Sequence, residues 1–301
     1  MNAKDVVLRA REKGIVIPAI NVPYLPVMKA IVNAAADENS VVMIEVARVE
    51  WEKFGAISPE AIAEEYGKCG DSAHTLLHLD HIPVIDEDNK RVDYAALIKR
   101  AIAAGFQSVM VDGSRLPLEE NINAAAEVAG LAHEAGIPCE AELGAVMGHE
   151  SGPIPPYEEI FASKKGFTSV SEAERFVKES GVDWLSIAAG NIHGAVAEAT
   201  RHQKKPEARL DIEHIEALYK TTNVPLVLHG GSGINIDYIR RAIAAGIAKI
   251  NIGTEVRQAY EAALAEREGD IEFARQCVYE MVRKTLSESL RLTNSKELLN
   301  V

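Results

Sequence analysis

The regular alternation of two kinds of segment along the chain is the feature that most constrains its fold. One kind is a short run rich in Val, Ile and Leu, nearly continuous in apolar character, which recurs eight times. The runs are VIPAIN (16–21), VVMIEVA (41–47), TLLHLDH (75–81), SVMVDG (108–113), PCEAELG (138–144), WLSIAAG (184–190), PLVLHG (225–230) and KINIG (249–253). Such runs are typical of strands buried on both faces of a parallel sheet. The second kind is Ala-rich with helical periodicity, and several of these segments end in a glycine typical of a helix terminus.

Eight strands that alternate with helices predict an α/β protein with a (β/α)8 TIM barrel. A doubly wound sheet is the alternative, but no GxGxxG motif opens its first helix. The length of 301 residues would also allow two domains. Because no low-complexity linker or break in composition divides the chain, we predict one barrel domain over residues 1–301. A charged, helical C-terminal extension from about residue 265 either packs on the barrel or contacts another subunit.

Charge and cysteine content restrict the partners and the compartment. The net charge of −13 argues against a nucleic acid or an anionic membrane as the main partner, although a local basic pocket for a small anion is compatible with it. Cys69, Cys139 and Cys277 form no CxxC pair, which is typical of a reducing compartment. The N-terminus lacks the apolar core of a signal peptide. We therefore predict a cytoplasmic protein.

Polar residues stand at the ends of the predicted strands, where a barrel carries its chemistry. They are Asn21, Asp80, His81, Asp112, Glu142, His193, His229, Asn251 and Thr254. Three of these are histidines from three different strand ends, and three converging imidazoles with an open fourth position form a catalytic Zn²⁺ site. A single histidine is more often structural, but three at corresponding positions favour the metal site. Asp80 either transfers a proton or orients a ligand histidine.

Glycine-rich turns after the last two strands indicate an anion site. HGGSG and NIGT would expose backbone N–H groups, and Ser232 and Thr254 add hydroxyls, in the region where barrels frequently bind phosphate. Arg257, one helical turn beyond Thr254, either reaches a second phosphate or lies on the surface. The long loop 145–170, rich in Gly, Pro and Ser, is either a lid over the site or a surface loop.

Six motifs follow one another along the chain: LHLDH, VMVDGSRLPLEENI, EAELG, GNIHG, LVLHGGSGI and KINIGTEVR. In order and spacing they resemble the class II, zinc-dependent fructose-bisphosphate and tagatose-bisphosphate aldolase family over residues 16–262. The resemblance implies a (β/α)8 barrel that reversibly cleaves a phosphorylated ketose into dihydroxyacetone phosphate and an aldehyde, through a zinc-stabilised enediolate. It also implies a homodimer or homotetramer.

The resemblance assigns roles by motif. It implies that His81, His193 and His229 hold the Zn²⁺ and that Asp80 is the acid/base on the C4 hydroxyl. Asp112 and Glu142 match positions that bind the metal in an alternative or second site, and a second metal or a monovalent cation is an open possibility. Arg257 would reach the far phosphate. The substrate-binding residues that it implies are Asn21, Gly194, Gly230, Gly231, Ser232, Asn251, Ile252, Gly253 and Thr254.

Several positions depart from the usual family pattern. Ala47 stands where a serine is usual, Ala197 where many members have lysine, and Gly253 where fructose-type members have aspartate. His81 is followed by Ile-Pro and an inserted charged segment, and GHESG leaves Glu150 as the residue for proton transfer at C3. We therefore expect an intact metal and cleavage site, but altered selection of the aldehyde half. Fructose 1,6-bisphosphate is then not necessarily the physiological substrate.

Two other functions fit a metal-binding barrel. One is a hydrolase that uses a zinc-bound hydroxide, although such barrels often carry an HxH pair on the first strand and VIPAIN has none. The other is a barrel that binds sugar phosphates without cleaving them. A class II aldolase needs no Schiff-base lysine, so we expect Lys249 to pack beside its strand end rather than act as a nucleophile.

Overall fold

The computed structural model describes residues 1–146, 156–193 and 208–301. Its strands form a closed parallel barrel in sequential order, in which β8 pairs with β1. The strands are β1 (Ile17–Asn21), β2 (Val42–Ala47), β3 (Thr75–Pro83), β4 (Ser108–Asp112), β5 (Cys139–Leu143), β6 (Trp184–Ile187), β7 (Leu226–Leu228) and β8 (Ile247–Ile252). The predicted (β/α)8 TIM barrel is confirmed, and each strand falls within or overlaps the apolar run that predicted it.

The α-helices surround the barrel and continue beyond it at the C-terminus. They are α1 (Ala3–Lys13), α2 (Met28–Asp37), α3 (Arg48–Lys53), α4 (Pro59–Cys69), α5 (Tyr94–Ala104), α6 (Leu118–Glu134), α7 (Tyr157–Ser163), α8 (Val170–Ser180), α9 (Ile212–Thr222), α10 (Ile236–Ala245), α11 (Thr254–Glu266), α12 (Ile271–Lys284) and α13 (Ser295–Leu299). A 3-10 turn (Leu25–Val27) and a π-helical turn (Thr285–Ser289) complete these elements. Short polar N-cap side chains accept a backbone N–H at the start of several helices, such as Ser58 at α4 and Asp93 at α5.

The barrel interior changes in character from bottom to top. At the N-terminal end of the strands, Ile17, Met43 and Trp184 pack with α1 in an apolar cluster that closes the bottom. Above them the inward positions are charged, and at the C-terminal end they carry the polar residues predicted for the site. Because strand residues two apart face the same side, one strand contributes to all three levels. The polar site therefore stands on a rigid apolar base.

An irregularity in β3 explains how two adjacent residues reach the same mouth. Against β4, Leu79 pairs with Val109, but the next pair is Ile82 with Val111, so β3 holds one extra residue. Such a bulge re-aims the side chains of a strand. The cavity at the mouth is lined by both Asp80 and His81, which a regular strand would point to opposite faces.

The C-terminal helices pack on the outside of the barrel. Helix α12 lies against α11 and α2. Arg283 and Thr293 both donate to Glu38 at the end of α2, at 2.7 and 2.6 Å. Within the described residues, no helix combines the length and the apolar character needed to cross a bilayer.

Candidate active site

One cavity at the C-terminal mouth of the barrel gathers most of the predicted site residues. Its lining includes Asn21, Ala47, Glu50, Asp80, His81, Asp112, His193, His229, Gly230, Ser232, Asn251, Gly253, Thr254 and Arg257. Glu142 contributes a carboxylate to the histidine cluster at this mouth. Ile252 differs, because its side chain lies in the apolar core and does not line this cavity. Glu150 and Gly194, predicted to act in proton transfer and substrate binding, lie outside the described residues.

The three histidines converge. Nδ1 of His229 lies 2.5 Å from Nε2 of His81, and the ring centre of His193 is 5.1 Å from that of His81. One ligand atom from each histidine and one from Glu142 lie within 4.8 Å of one another. Small rotations of these side chains would bring them to a single ion. Three converging imidazoles are the donor arrangement of a catalytic zinc site.

The outer nitrogens of two of these rings are held by carboxylates. Nδ1 of His81 lies 3.2 Å from Asp112 Oδ2, and Nε2 of His229 lies 2.7 Å from Glu140 Oε1. Burial favours a raised pKa for Asp112, but the hydrogen bond from His81 and its charge lower that pKa overall. A carboxylate on the outer nitrogen fixes the tautomer and directs the other nitrogen inward, as metal-ligating histidines require. The donor set therefore fits a divalent metal such as Zn²⁺.

Glu142 lies beside the histidines and differs from Asp112 in its protonation. Its Oε2 accepts a hydrogen bond from Ser186 Oγ at 3.1 Å and is 3.9 Å from Nδ1 of His229. Burial, together with the charge of Asp112, raises the pKa of Glu142 to about 8. In the metal-free protein this carboxyl group is therefore protonated at neutral pH, and a cation at the histidines would favour its ionised form.

Two asparagine amides hold the Asp80 carboxylate, one at each oxygen. Nδ2 of Asn21 on β1 donates to Oδ2 at 3.0 Å, and Nδ2 of Asn251 on β8 donates to Oδ1 at 2.9 Å. Burial favours a raised pKa for Asp80, but the charges of His81 and His229 lower it overall. Asp80 is thus an ionised, fixed carboxylate beside the histidine cluster.

A charged layer lies directly beneath this mouth, inside the barrel. Lys249 Nζ donates to Asn251 Oδ1 at 2.7 Å and forms ion pairs with Glu140 and Glu45 at 3.1 and 3.4 Å. All three charged side chains are fully buried. The prediction that Lys249 packs beside the strand end is wrong, because its ammonium group occupies the centre of the barrel.

The opposite side of the cavity has the form of an anion site. Gly230 has φ +65°, and a Cβ there would collide with the Ile192 carbonyl, so the turn needs glycine. The Gly231 N–H donates to the Asn251 carbonyl at 3.1 Å, which ties this turn to β8. Thr254 begins α11, a helix of 13 residues whose N-terminus faces the cavity. A helix N-terminus presents N–H groups and a partial positive charge to a phosphate.

Comparison with known proteins decides the family. The family model for class II fructose-bisphosphate aldolase matches residues 1–297. The chain belongs to this family. It is a class II aldolase and hence a lyase.

Relatives of this aldolase carry more than one substrate name. It is 35% identical over 262 residues to the 6-phospho-5-dehydro-2-deoxy-D-gluconate aldolase of Bacillus licheniformis, covering 86% of this chain and 81% of that protein. It is 32% identical over 289 residues to the fructose-bisphosphate aldolase of Helicobacter pylori, covering 86% of this chain and 85% of that protein. The crystal structure of the YdjI aldolase from Escherichia coli K12 superposes with a TM-score of 0.75 at 27% identity, covering 97% of this chain and 98% of that one.

Gly253, one of the positions where this aldolase departs from the usual pattern, makes room for Asn21. A Cβ built at Gly253 would lie 2.8 Å from Asn21 Oδ1. We expect Gly253→Ala to displace the Asn21 amide from Asp80 and to lower kcat about 10- to 100-fold, because small misplacements of reacting groups have effects of this size. Steady-state cleavage kinetics measure this.

Gly67 is the matched control for Gly253→Ala. It lies within α4, and a Cβ there would have nothing within 4 Å. We expect Gly67→Ala to keep the wild-type kcat and to be slightly more stable, since alanine is the better helix former. An unchanged kcat for Gly253→Ala would show that Asn21 does not need this space.

Glu50 is a buried acid of this aldolase that the strand-end pattern did not predict. Its Oε2 accepts from the Ala47 N–H at 2.8 Å and from Asn21 Nδ2 at 3.3 Å. It belongs to α3, which begins where β2 ends. The only sequence signal was an acid within the short segment ARVEWEKFG.

The buried Glu50 makes the stability of the metal-free aldolase depend on pH. Burial, with the charge of Asp80, raises the pKa of Glu50 to about 8 from its usual 4.5. Because the folded-state pKa is the higher one, this group's stability contribution is complete below pH 4.5 and is lost as pH rises towards 8. Relative to Glu50→Gln, we expect the wild type to lose about 3 kcal/mol of unfolding free energy between about pH 5 and about pH 7.5.

Denaturant unfolding with chelator present measures the two proteins across this range. The exposed Glu64 on α4 supplies the control, because Glu64→Gln should follow the wild type at every pH. Parallel curves of unfolding free energy against pH for the wild type and Glu50→Gln would contradict the raised pKa of a buried acid at this position.

Three further functional candidates were not predicted from the sequence. Each lies two residues before a predicted site residue. Glu140 precedes Glu142, Lys249 precedes Asn251, and His78 precedes Asp80. Each pair shares the inward face of one strand. Charged residues within apolar strands, repeating with a period of two, were the signal that could have predicted them.

Proposed function

We propose that this aldolase reversibly cleaves a ketose 1-phosphate at the C3–C4 bond into dihydroxyacetone phosphate and an aldehyde, with Zn²⁺ as its metal. The observation that carries the proposal is the convergence of His81, His193 and His229 beside an Asp80 carboxylate fixed at both oxygens.

The three histidines would hold the ion, with Glu142 as an additional or alternative ligand. A bound divalent cation supplies Lewis-acid stabilisation of the negative charge that develops on the ketose oxygens. Asp112 and Glu140 keep the inner nitrogens of His81 and His229 directed at the ion.

Asp80 would remove the proton of the C4 hydroxyl during cleavage and return it during condensation. Its lowered pKa provides an ionised base at neutral pH, and the two asparagine amides keep its orientation constant. The turn at Ser232 and the N-terminus of α11 at Thr254 would bind the phosphate of the dihydroxyacetone phosphate half. Binding at this end would direct the C4 hydroxyl towards Asp80.

The aldehyde half would lie towards Glu50, Phe54 and Arg257. Arg257 is the one Lys or Arg side chain lining the cavity among the described residues, and its charge is already matched by Glu261 at 3.0 Å. A second dianionic phosphate would therefore gain little here. We expect an aldehyde with less negative charge than glyceraldehyde 3-phosphate to react faster.

Condensation of dihydroxyacetone phosphate with three aldehydes tests the proposal. The panel is glyceraldehyde 3-phosphate, glyceraldehyde and 3-oxopropanoate, the aldehyde that cleavage of 6-phospho-5-dehydro-2-deoxy-D-gluconate would release. We expect zinc-dependent adduct formation, with a higher kcat/KM for one of the last two. Binding of dihydroxyacetone phosphate with no adduct from any aldehyde would instead favour a barrel that binds sugar phosphates without cleaving them.

A further inference from the structure

The charged layer inside the barrel is not required by the chemistry proposed above. It consists of Glu45, His78, Glu140 and Lys249, which we call the interior charged layer, and each side chain is fully buried. Buried charges carry a large desolvation cost unless they are paired. A layer of inward side chains in such a barrel is ordinarily apolar. The interior charged layer therefore calls for a function beyond packing.

Lys249 is the centre of this layer, because its ammonium group has three donors and three oxygens around it. These are Asn251 Oδ1, Glu140 Oε2 and Glu45 Oε2, at 2.7, 3.1 and 3.4 Å. The contacts with Asn251 and Glu140 connect Lys249 to side chains that hold residues of the candidate active site. The contact with Glu45 does not.

The first upward contact sets the orientation of an amide. A lysine ammonium can only donate, so it fixes the Asn251 oxygen on its own side. The Nδ2 group of Asn251 must then face the opposite way, where it donates to Asp80 Oδ1 at 2.9 Å. Without Lys249 the amide could rotate and present its oxygen to the Asp80 carboxylate, which would repel it.

The second upward contact acts on a candidate metal ligand. The buried Glu140 carboxylate is paired through Oε2 with the Lys249 ammonium group at 3.1 Å, which offsets the cost of burying its charge. Its other oxygen, Oε1, lies 2.7 Å from Nε2 of His229. An ionised acceptor there holds the proton on Nε2 and leaves Nδ1 for the ion.

We propose that Lys249 is a positioning residue that orients the acid/base and a metal ligand together, through Asn251 to Asp80 and through Glu140 to His229. The inference rests on the proposed function. The spacing of Glu45, His78 and Asp80 would also suit a second cation. The Lys249 ammonium group, which is 3.4 Å from Glu45, already supplies the positive charge that a second cation would bring. We therefore assign the interior charged layer to the orientation of the site residues above it.

A matched pair of variants isolates Lys249. Glu45→Gln is the reference variant, because it lacks the same partner of Lys249 that the double variant lacks, and its zinc Kd and kcat are measured first. Lys249→Met/Glu45→Gln removes the ammonium group without leaving the Glu45 carboxyl group buried against the new methionine. Relative to Glu45→Gln, we expect zinc binding to weaken about 10- to 100-fold and kcat at saturating zinc to fall about 100-fold.

Zinc affinity is measured by competition with a chromophoric chelator in the absence of substrate, and circular dichroism shows that each variant is folded. Adding Glu140→Gln to the double variant should weaken zinc binding no further, because both changes act on the same contact with His229. A folded double variant that keeps either the zinc affinity or the kcat of Glu45→Gln overturns the proposal.

Single-contact variants replace the double variant if it does not fold. Glu140→Gln should weaken zinc binding while keeping most of kcat at saturating zinc, and Asn251→Leu should lower kcat while keeping zinc affinity. The proposal would be overturned if Glu140→Gln lowered kcat at saturating zinc as strongly as Asn251→Leu, or if Asn251→Leu weakened zinc binding as strongly as Glu140→Gln. If the wild type cleaves no ketose phosphate, the proposed function fails, yet the zinc measurements still test the contact through Glu140.

Discussion

We expect Asp80→Ala to lower kcat for cleavage by about 1,000-fold, within the range for loss of a general acid or base, while the protein keeps its full zinc content. The reason is geometric. Both Asp80 oxygens accept hydrogen bonds from asparagine amides, so we expect the carboxylate to move protons rather than to hold the ion. Single-turnover cleavage and metal analysis of the same sample measure the two quantities together.

Asp112→Ala is the contrasting variant, because Asp112 contacts the outer nitrogen of His81 at 3.2 Å. We expect it to weaken zinc binding about 10- to 100-fold and to recover much of its activity when zinc is in excess. The assigned roles would be contradicted if Asp80→Ala lost its metal but Asp112→Ala kept it, or if Asp80→Ala retained its turnover.

We expect removal of the metal to abolish turnover, and addition of Zn²⁺ or Co²⁺ to restore it. The described residues provide no lysine at the mouth that could form a Schiff base in place of the ion, because Lys249 is fully buried beneath Asn251 and ion-paired. Cleavage without a cation would leave the developing enediolate charge without stabilisation. The assay follows dihydroxyacetone phosphate release before dialysis against a chelator, after it, and after metal is added back.

Magnesium is the control for this experiment, because it prefers oxygen ligands and should not restore activity at a histidine site. Thermal unfolding of the metal-free protein shows whether the barrel is still folded when activity is lost. Full turnover in protein shown to be free of metal would exclude the mechanism.

The strands and the mouth were predictable from the sequence because burial on both faces leaves continuous apolar runs. Asp80, His229 and Asn251 were recognisable as polar residues at the ends of such runs, and the structure brings them to one cavity. The shared position of Asp80 and His81 depended on a bulge in β3, which follows from the register with β4 and not from any local pattern.

The interior charged layer was harder to predict, because its members contact one another only once the barrel closes. Glu45 on β2, Glu140 on β5 and Lys249 on β8 are distant in sequence, and their ion pairs cross the barrel interior. Each one alone is a single charged residue within an apolar strand. Each of them faces the barrel interior on the same side of its strand as a site residue two positions later, and this shared face indicates its function.

Anomalous diffraction at the zinc absorption edge, from crystals of the zinc-loaded protein, tests the central claim most directly. We expect one strong peak about 2.0–2.1 Å from Nε2 of His81, from Nδ1 of His229 and from a ring nitrogen of His193. A peak bound to other residues, or no peak in protein that cleaves its substrate, would contradict it.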